Sequence, residues 1–197
     1  MRTHMFNHDK LRRDRLKESI ESQCKGSIEE KISRYLEIEH QGIIGGHYFA
    51  NASSECIYLY RDGYFIGAVM MSHAINEGII KFVAERNSIN RCKDCGDTKT
   101  IEELISEFKK KKIITDKCAD ASMKIWKSFR ADIHHMNPTV KKIPFQKLAQ
   151  QNLKHLSSIE REIFGYETTK AGAIVLYQPK YWDINPDGTA MVSLRLE

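Results

Sequence analysis

The residues best suited to chemistry lie close together at residues 126–138. Arg130, His134 and His135 come just before Pro138, and proline disfavours helical geometry in the residue that precedes it, so a helix should end here. Arginine stays charged and can hold a phosphate through two parallel hydrogen bonds, whereas histidine exchanges a proton near neutral pH. This combination indicates acid–base chemistry on a phosphate ester. The alternative is a surface arginine beside a histidine that caps the helix.

The order of these side chains around the helix sets their possible roles. His134 lies four residues after Arg130 and shares its helix face. His135 lies one residue further on and points about 140° away from Arg130 in an ideal helix. Unwinding ahead of Pro138 would bring His135 back toward Arg130. Asp132 either orients an imidazole ring or pairs with a nearby base.

Glu77 and Lys81 form a second candidate pair, within a long apolar segment at residues 54–87. Asp62 and Gly63 interrupt the segment as a turn or a helix irregularity, and after them apolar residues recur near helical spacing, which predicts a long helix with one broad apolar face. Side chains four residues apart share a helix face. Glu77 and Lys81 are therefore either an ordinary ion pair or part of the same site as Arg130.

Together these two motifs resemble the signature of the HEPN family. That signature is an arginine followed after four to six residues by a histidine, and Arg130 and His135 match it with four residues between them. Members often carry Glu-x-x-x-Lys on an earlier core helix, as Glu77 and Lys81 do here. The resemblance covers residues 54–165 in the family's order of elements. Two positions depart from the pattern: Ala131 replaces a common polar residue, and Asn137 stands where some members have a tyrosine that an antitoxin modifies.

The resemblance implies a metal-independent endoribonuclease, without a cofactor, of the kind that acts in defence or as a toxin. Two protomers would share one composite cleft, where an RNA 2′-hydroxyl attacks the adjacent phosphate and leaves a 2′,3′-cyclic phosphate. The implied roles are general acid and base for His135, charge stabilisation for Arg130, second proton carrier for His134, support for Glu77 and phosphate contact for Lys81. The alternative is a catalytically silent module that dimerises and binds RNA or a protein. An inhibitory or activating protein partner is possible in either case.

The charge distribution favours an RNA partner. The 197-residue chain has a formal net charge of +5, and residues 108–142 hold ten bases against three acids. Such a stretch neutralises phosphates, and Lys124 and Lys127 are the expected contacts. Trp126 is a candidate for stacking on a base, whereas Phe129 is expected in the core. For the lysines at residues 109–112, a merely solvated helix face is an equal alternative.

Composition and cysteine usage indicate a cytoplasmic protein without a structural metal. No apolar run is long enough to cross a membrane, and the first residues lack the apolar core of a secretory signal. The five cysteines do not form a disulfide framework. Cys92 and Cys95 have the spacing of half a zinc site, and Cys118 is the nearest further thiol, so the pattern favours reduced thiols over zinc.

The predicted fold is all-α: an up-and-down helical bundle over residues 1–167, with a small C-terminal β-hairpin over residues 168–197. The hairpin would pair residues 173–177 with 191–196 around a turn at 185–188. Serine or threonine three residues before glutamate predicts helix starts at Ser27 and Thr100. Residues 115–135 should form one continuous helix.

Overall fold

The computed structural model describes residues 2–89 and 99–195, and the side chains from residue 10 onward within them. Most of this part of the chain is helical, as predicted. The helices are α1 (Arg2–Gly26), α2 (Ile28–Leu36), α3 (Ala50–Arg61), α4 (Phe65–Arg86), α5 (Ile101–Lys110), α6 (Asp116–Lys127), α7 (Arg130–His134) and α8 (Phe145–Ile163), with 3-10 helices at Pro138–Lys142 and Pro179–Tyr181. None of the described helices is long and apolar enough to cross a membrane.

The core is built around α4, which packs against α3, α5, α6 and α8. Its predicted apolar face is buried, and Val69, Ile79 and Val83 are fully covered by neighbouring helices. Close approach is possible at Gly78, where a Cβ atom would lie 3.4 Å from the Phe49 ring. α4 also contacts α7, so polar side chains on the side of α4 that faces α6 and α7 can meet those of either helix.

The strands differ from the predicted hairpin. β1 (Ile43–Gly45) pairs with β4 (Val192–Leu194), and β2 (Tyr166–Thr168) pairs with β3 (Ile174–Leu176), both antiparallel. The predicted pairing of residues 173–177 with 191–196 is therefore wrong, although both segments contain strands. The turn at 185–188 was predicted correctly and is closed by a bridge between Ile184 and Ala190. β3 pairs instead with β2, which lies nearer in the segment after α8. β4 pairs with β1, which lies in the glycine-containing loop after α2 and is better buried.

The C-terminal tail is packed into the helical core. Tyr181 and Trp182 are buried and cover the end of the bundle. Arg195 is also buried, and its guanidinium contacts the Glu160 carboxylate on α8 at 2.8 Å. This contact fixes the end of β4 to the last long helix.

Both predicted helix starts are confirmed, since α2 begins after Ser27 and α5 begins after Thr100, but only one of them has the expected capping box. At Thr100 the capping box is complete: the Thr100 hydroxyl accepts from the Glu103 amide at 3.3 Å, and the Glu103 carboxylate accepts from the Thr100 amide at 2.7 Å. At Ser27 it is absent, because the hydroxyl donates instead to the carbonyl of Gln23 at 2.9 Å. A serine that follows directly on a helix has carbonyls of that helix within reach, and these compete with the cap.

Candidate active site

The centre of the candidate site is a contact between Glu77 on α4 and Arg130 on α7. Arg130 Nη2 lies 3.0 Å from Glu77 Oε2, and the guanidinium carbon lies 4.2 Å from the centre of the Trp126 ring. The other carboxylate oxygen of Glu77 accepts from Lys81 Nζ at 2.6 Å. The two sequence motifs thus meet in space, although 53 residues separate Glu77 from Arg130.

An interruption of the helix before Arg130 makes this contact possible. The predicted continuous helix over residues 115–135 is wrong: α6 ends at Lys127, and Phe129 adopts a left-handed φ of 56°. The Ser128 hydroxyl donates to the carbonyl of Ile125 at 2.7 Å, a local hydrogen bond that competes with helix continuation. The break also turns Phe129 outward, so the prediction that it lies in the core is wrong; it is 48% exposed.

His73 belongs to the same cluster and was not among the predicted site residues. Its Nε2 lies 2.9 Å from the Ser128 hydroxyl, and its ring centre lies 5.7 Å from that of His134. Its Nδ1 has no hydrogen-bond partner among the described residues. Burial lowers the pKa of His73 to about 4, with further lowering by the charges of His134 and Arg130. The sequence feature that could have identified His73 as a site residue was its spacing, because it precedes Glu77 by four residues on α4 and so shares its helix face.

A buried polar network holds Ser128 in place behind the site. Asn152 on α8 donates from Nδ2 to the hydroxyls of both Ser128 and Ser72, at 3.0 Å each. Beside it, Asn76 and Ser122 exchange two hydrogen bonds between α4 and α6. Buried polar groups that are paired in this way fix the relative position of helices, since breaking one pair leaves its partner without a hydrogen bond.

The two predicted histidines lie on different sides of α7. The backbone amide of His135 still bonds to the carbonyl of Ala131 at 3.1 Å, so helical geometry continues to His135, and the chain turns away only at Met136, where φ is 50°. The expected unwinding therefore comes after His135, too late to return it toward Arg130 of the same chain. His134 shares the side of Arg130, and the exposed His135 ring makes no hydrogen bond or ion pair within the described chain.

Asp132 acts on the turn that follows α7. Its carboxylate accepts hydrogen bonds from Thr139 at 2.7 Å and from Asn137 at 3.1 Å, and these bonds lower its pKa. In the part of the chain that the structure describes, it neither bonds to an imidazole nor pairs with a base. The carboxylate therefore stabilises the segment that carries the histidines.

An open cleft of about 600 Å³ lies next to the Glu77 side chain. Lys81 and Trp126 line it, together with Lys99 and Thr100 from the start of α5. Lys124 and Lys127 on α6 are exposed and form no ion pair with any described residue. The site thus combines a cation held by a carboxylate, an aromatic face and two imidazoles. Lys124 and Lys127 lie outside the lining of the cleft, and Lys124 lies near His155 on α8.

Within the described residues no group of three or more histidine, cysteine, aspartate or glutamate side chains is placed to hold a metal ion. Cys92 and Cys95, the half zinc site considered above, lie outside the described residues. The chain matches no model of a known protein family, no curated protein and no solved structure.

Proposed function

We propose that the protein is a metal-independent endoribonuclease of the HEPN type. The observation that supports this most is the 3.0 Å contact between Glu77 and Arg130, because it joins two motifs distant in sequence. The imidazoles of His73 and His134 lie beside this contact. In the proposed reaction an RNA 2′-hydroxyl loses its proton and attacks the adjacent phosphorus, and the 5′-oxygen leaves with a proton supplied by the protein.

Arg130 is proposed to stabilise the negative charge that builds up on the phosphate. Glu77 holds one end of the guanidinium and the Trp126 ring supports its face, so the cation is oriented before RNA binds. The Nε of Arg130 has no hydrogen-bond partner among the described residues and is available as a donor once the side chain shifts toward a phosphate. Preorganised donors of this kind are worth about 3–4 kcal/mol of transition-state stabilisation.

His135 is proposed as the general acid and base, with His134 as a second proton carrier. Helix geometry directs His135 away from Arg130 of its own chain, so the site that uses both is proposed to be shared between two protomers. This agrees with the composite cleft that the family resemblance implies. His134 is already positioned by its 5.7 Å ring contact with His73.

RNA binding is proposed to follow α6 and the cleft beside it. Lys81, Lys124 and Lys127 supply positive charge, and Trp126 offers an aromatic edge in the cleft. Contacts of this kind depend on counterion release, so affinity should fall steeply with salt. Replacing Lys124 and Lys127 with glutamine should weaken RNA binding while leaving the fold intact, because both are exposed.

The test is RNA cleavage in EDTA with end-group analysis of the products. Wild-type protein should leave 2′,3′-cyclic ends, and Arg130→Ala and His135→Ala should each lower the rate by about 100- to 1000-fold. Arg86→Ala is the matched control, since Arg86 is similarly exposed, pairs with Asp183 and lies over the Phe82 ring. It should cleave at the wild-type rate.

A silent module is the alternative outcome. The ion pair with Glu77 already neutralises Arg130 in the free protein, and Ala131 lacks the polar group common at that position in the family. If wild-type protein binds RNA but never cleaves it, and if His135→Ala changes nothing, the nuclease proposal is wrong and the binding module takes its place.

A further inference from the structure

Two helix faces at the N-terminal end expose apolar side chains in regular succession. On each helix the members lie four residues apart, which places them on one side of that helix. All are exposed, between 47% and 74% for the aliphatic ones. We call them the arm stripe; its members are Leu16, Ile20 and Cys24 on α1, and Ile28, Ile32 and Leu36 on α2.

The α1 part of the arm stripe has no partner within the described chain. Every side chain from residue 10 to residue 26 is exposed, and α1 contacts α2 where the two helices join. Most of the stability of helices in proteins comes from packing an apolar face against other parts of the structure. A packing partner would therefore stabilise α1.

The α2 part is exposed because α2 packs through another side. Its Arg34 lies 5.3 Å from the centre of the Phe65 ring and donates to the carbonyl of Arg61 at 3.3 Å. The outer side carries the arm stripe beside a shallow groove of about 370 Å³, whose lining includes Ile28, Ile32 and Leu36. This groove runs along the exposed apolar face.

We propose that a second copy of this chain covers the arm stripe, with α1 of each protomer lying antiparallel on α2 of the other. The two halves of the stripe match in length, since each spans nine residues, a rise of about 12 Å between its outer members. Such a contact is reciprocal, because the same two surfaces meet twice around a two-fold axis, so it closes as a dimer.

Charge complementarity supports this partner. Residues 10–17 carry five bases and one acid, a net charge of +4, and residues 28–39 carry four acids and two bases, a net charge of −2. The basic start of α1 would therefore meet an acidic surface on the second copy, with carboxylates both in the first turn of α2, at Glu29 and Glu30, and after its end, at Glu37 and Glu39. Complementary potentials favour this association, and cross-linking decides the direction.

This interface is separate from the proposed nuclease site. The arm stripe shares no residue with the Glu77–Arg130 contact, and the proposal does not depend on cleavage. Both proposals require a dimer, so a monomeric protein would contradict both. In a dimeric protein, absence of RNA cleavage counts against the nuclease alone, and a dimer that Ile32→Asp leaves unchanged counts against this interface alone.

Sedimentation velocity on the full chain tests the interface. Wild-type protein should be dimeric at micromolar concentration, and Ile32→Asp should weaken the dimer by at least about tenfold, as expected when a charge replaces a buried apolar side chain. Ile174→Asp is the matched control, since Ile174 is 46% exposed and Ile32 is 47% exposed. A monomeric wild type, or a dimer that Ile32→Asp leaves unchanged, would overturn the proposal whether or not the protein cleaves RNA.

Disulfide trapping tests the direction. In a Cys24→Ser background, chains with Ile20→Cys are mixed with chains with Ile32→Cys and treated with an oxidant. Antiparallel packing predicts a cross-linked dimer in the mixture, above the level given by the background protein, and none from either variant alone. Cross-linking of one variant with itself, or no cross-link in the mixture, would contradict this arrangement.

Discussion

Two arginine–glutamate ion pairs occupy contrasting environments in this molecule. In the buried pair, Arg195 and Glu160 are 1% and 2% exposed, and Ser53 and the carbonyl of Gln41 supply further hydrogen bonds to the arginine or the carboxylate. In the half-exposed pair, Arg130 and Glu77 are 40% and 25% exposed, and Arg130 donates to Glu77 at 3.0 Å. The Nε of both arginines lacks a hydrogen-bond partner among the described residues, so the two pairs differ in burial rather than in this atom. The same two side-chain types thus serve one contact that is closed and one that is open to a ligand.

The difference follows from desolvation. A buried ion pair is retained only where nearly every polar atom has a partner, because an unpaired charge in the core is costly. A half-exposed pair is worth little to stability, since water and salt screen it. Arg130 can therefore exchange Glu77 for a phosphate at small cost, whereas Arg195 has a structural role in holding β4 on α8.

The largest expected effect is on stability, and it separates the two pairs. Arg195→Met leaves the Glu160 carboxylate buried without its cation, so the free energy of unfolding should fall by about 3–5 kcal/mol. Arg130→Met removes a partly exposed partner and should change it by about 1 kcal/mol or less. Urea denaturation of both variants measures the difference. Similar losses in the two variants would show that burial does not distinguish the pairs.

A second prediction uses two buried histidines, of which His73 lies near the half-exposed pair. Burial lowers the pKa of His47 to about 4, as it does for His73. The unfolded chain takes up a proton near pH 6.5, whereas the folded chain takes it up near pH 4, so stability is full above pH 6.5 and is lost as the pH falls through that interval. Each histidine should cost about 2 kcal/mol between pH 7 and pH 5.

Denaturation at the two pH values measures this loss, and two variants identify its sources. His47→Leu should remove the share of His47, because its ring lies among the Phe49, Phe82 and Phe164 rings, where an apolar side chain is tolerated. Arg130→Gln should raise the pKa of His73 alone, as followed by NMR titration, since the Arg130 charge contributes to lowering it. Unchanged titration of His73 would place Arg130 too far away to act on it.

The smallest expected effect is the dependence on salt. A double-mutant cycle on Glu77 and Arg130 should give a coupling energy of about 1 kcal/mol or less, and it should shrink as salt rises. The cycle on Glu160 and Arg195 should give a larger coupling that salt hardly changes, because neither group is reached by solvent. A coupling at the half-exposed pair that salt does not affect would contradict its proposed openness to phosphate.

The sequence predicted the helices well where the signal was local. The capping box at Thr100 and the apolar spacing of α4 depend on residues within one or two turns, and both are present in the structure. The candidate residues Glu77 and Arg130 were also named from their types and spacing. Their contact could not be predicted from one chain, since it depends on how α4 packs against α7.

The errors share a cause. Ser128 ends α6 because its hydroxyl also meets His73 and Asn152, which come from other helices, so the break is a tertiary event with a weak local signal. The strands near the C-terminus were located correctly but paired wrongly. Strand segments of three residues carry too little pattern to specify a partner, and β4 joins β1 where Arg195 can reach Glu160.

The sequence by itself determined that the chain is mostly helical, where α4 and α5 lie, and which side chains are suited to phosphate chemistry. These features follow from periodicity, capping and side-chain type, which act over a few residues. Only the tertiary structure decided that Glu77 meets Arg130, that helical hydrogen bonding continues as far as His135, and that His73 belongs to the cluster. Those outcomes depend on the packing of α4, α6, α7 and α8, because contacts between residues distant in sequence are set by which surfaces can be buried together.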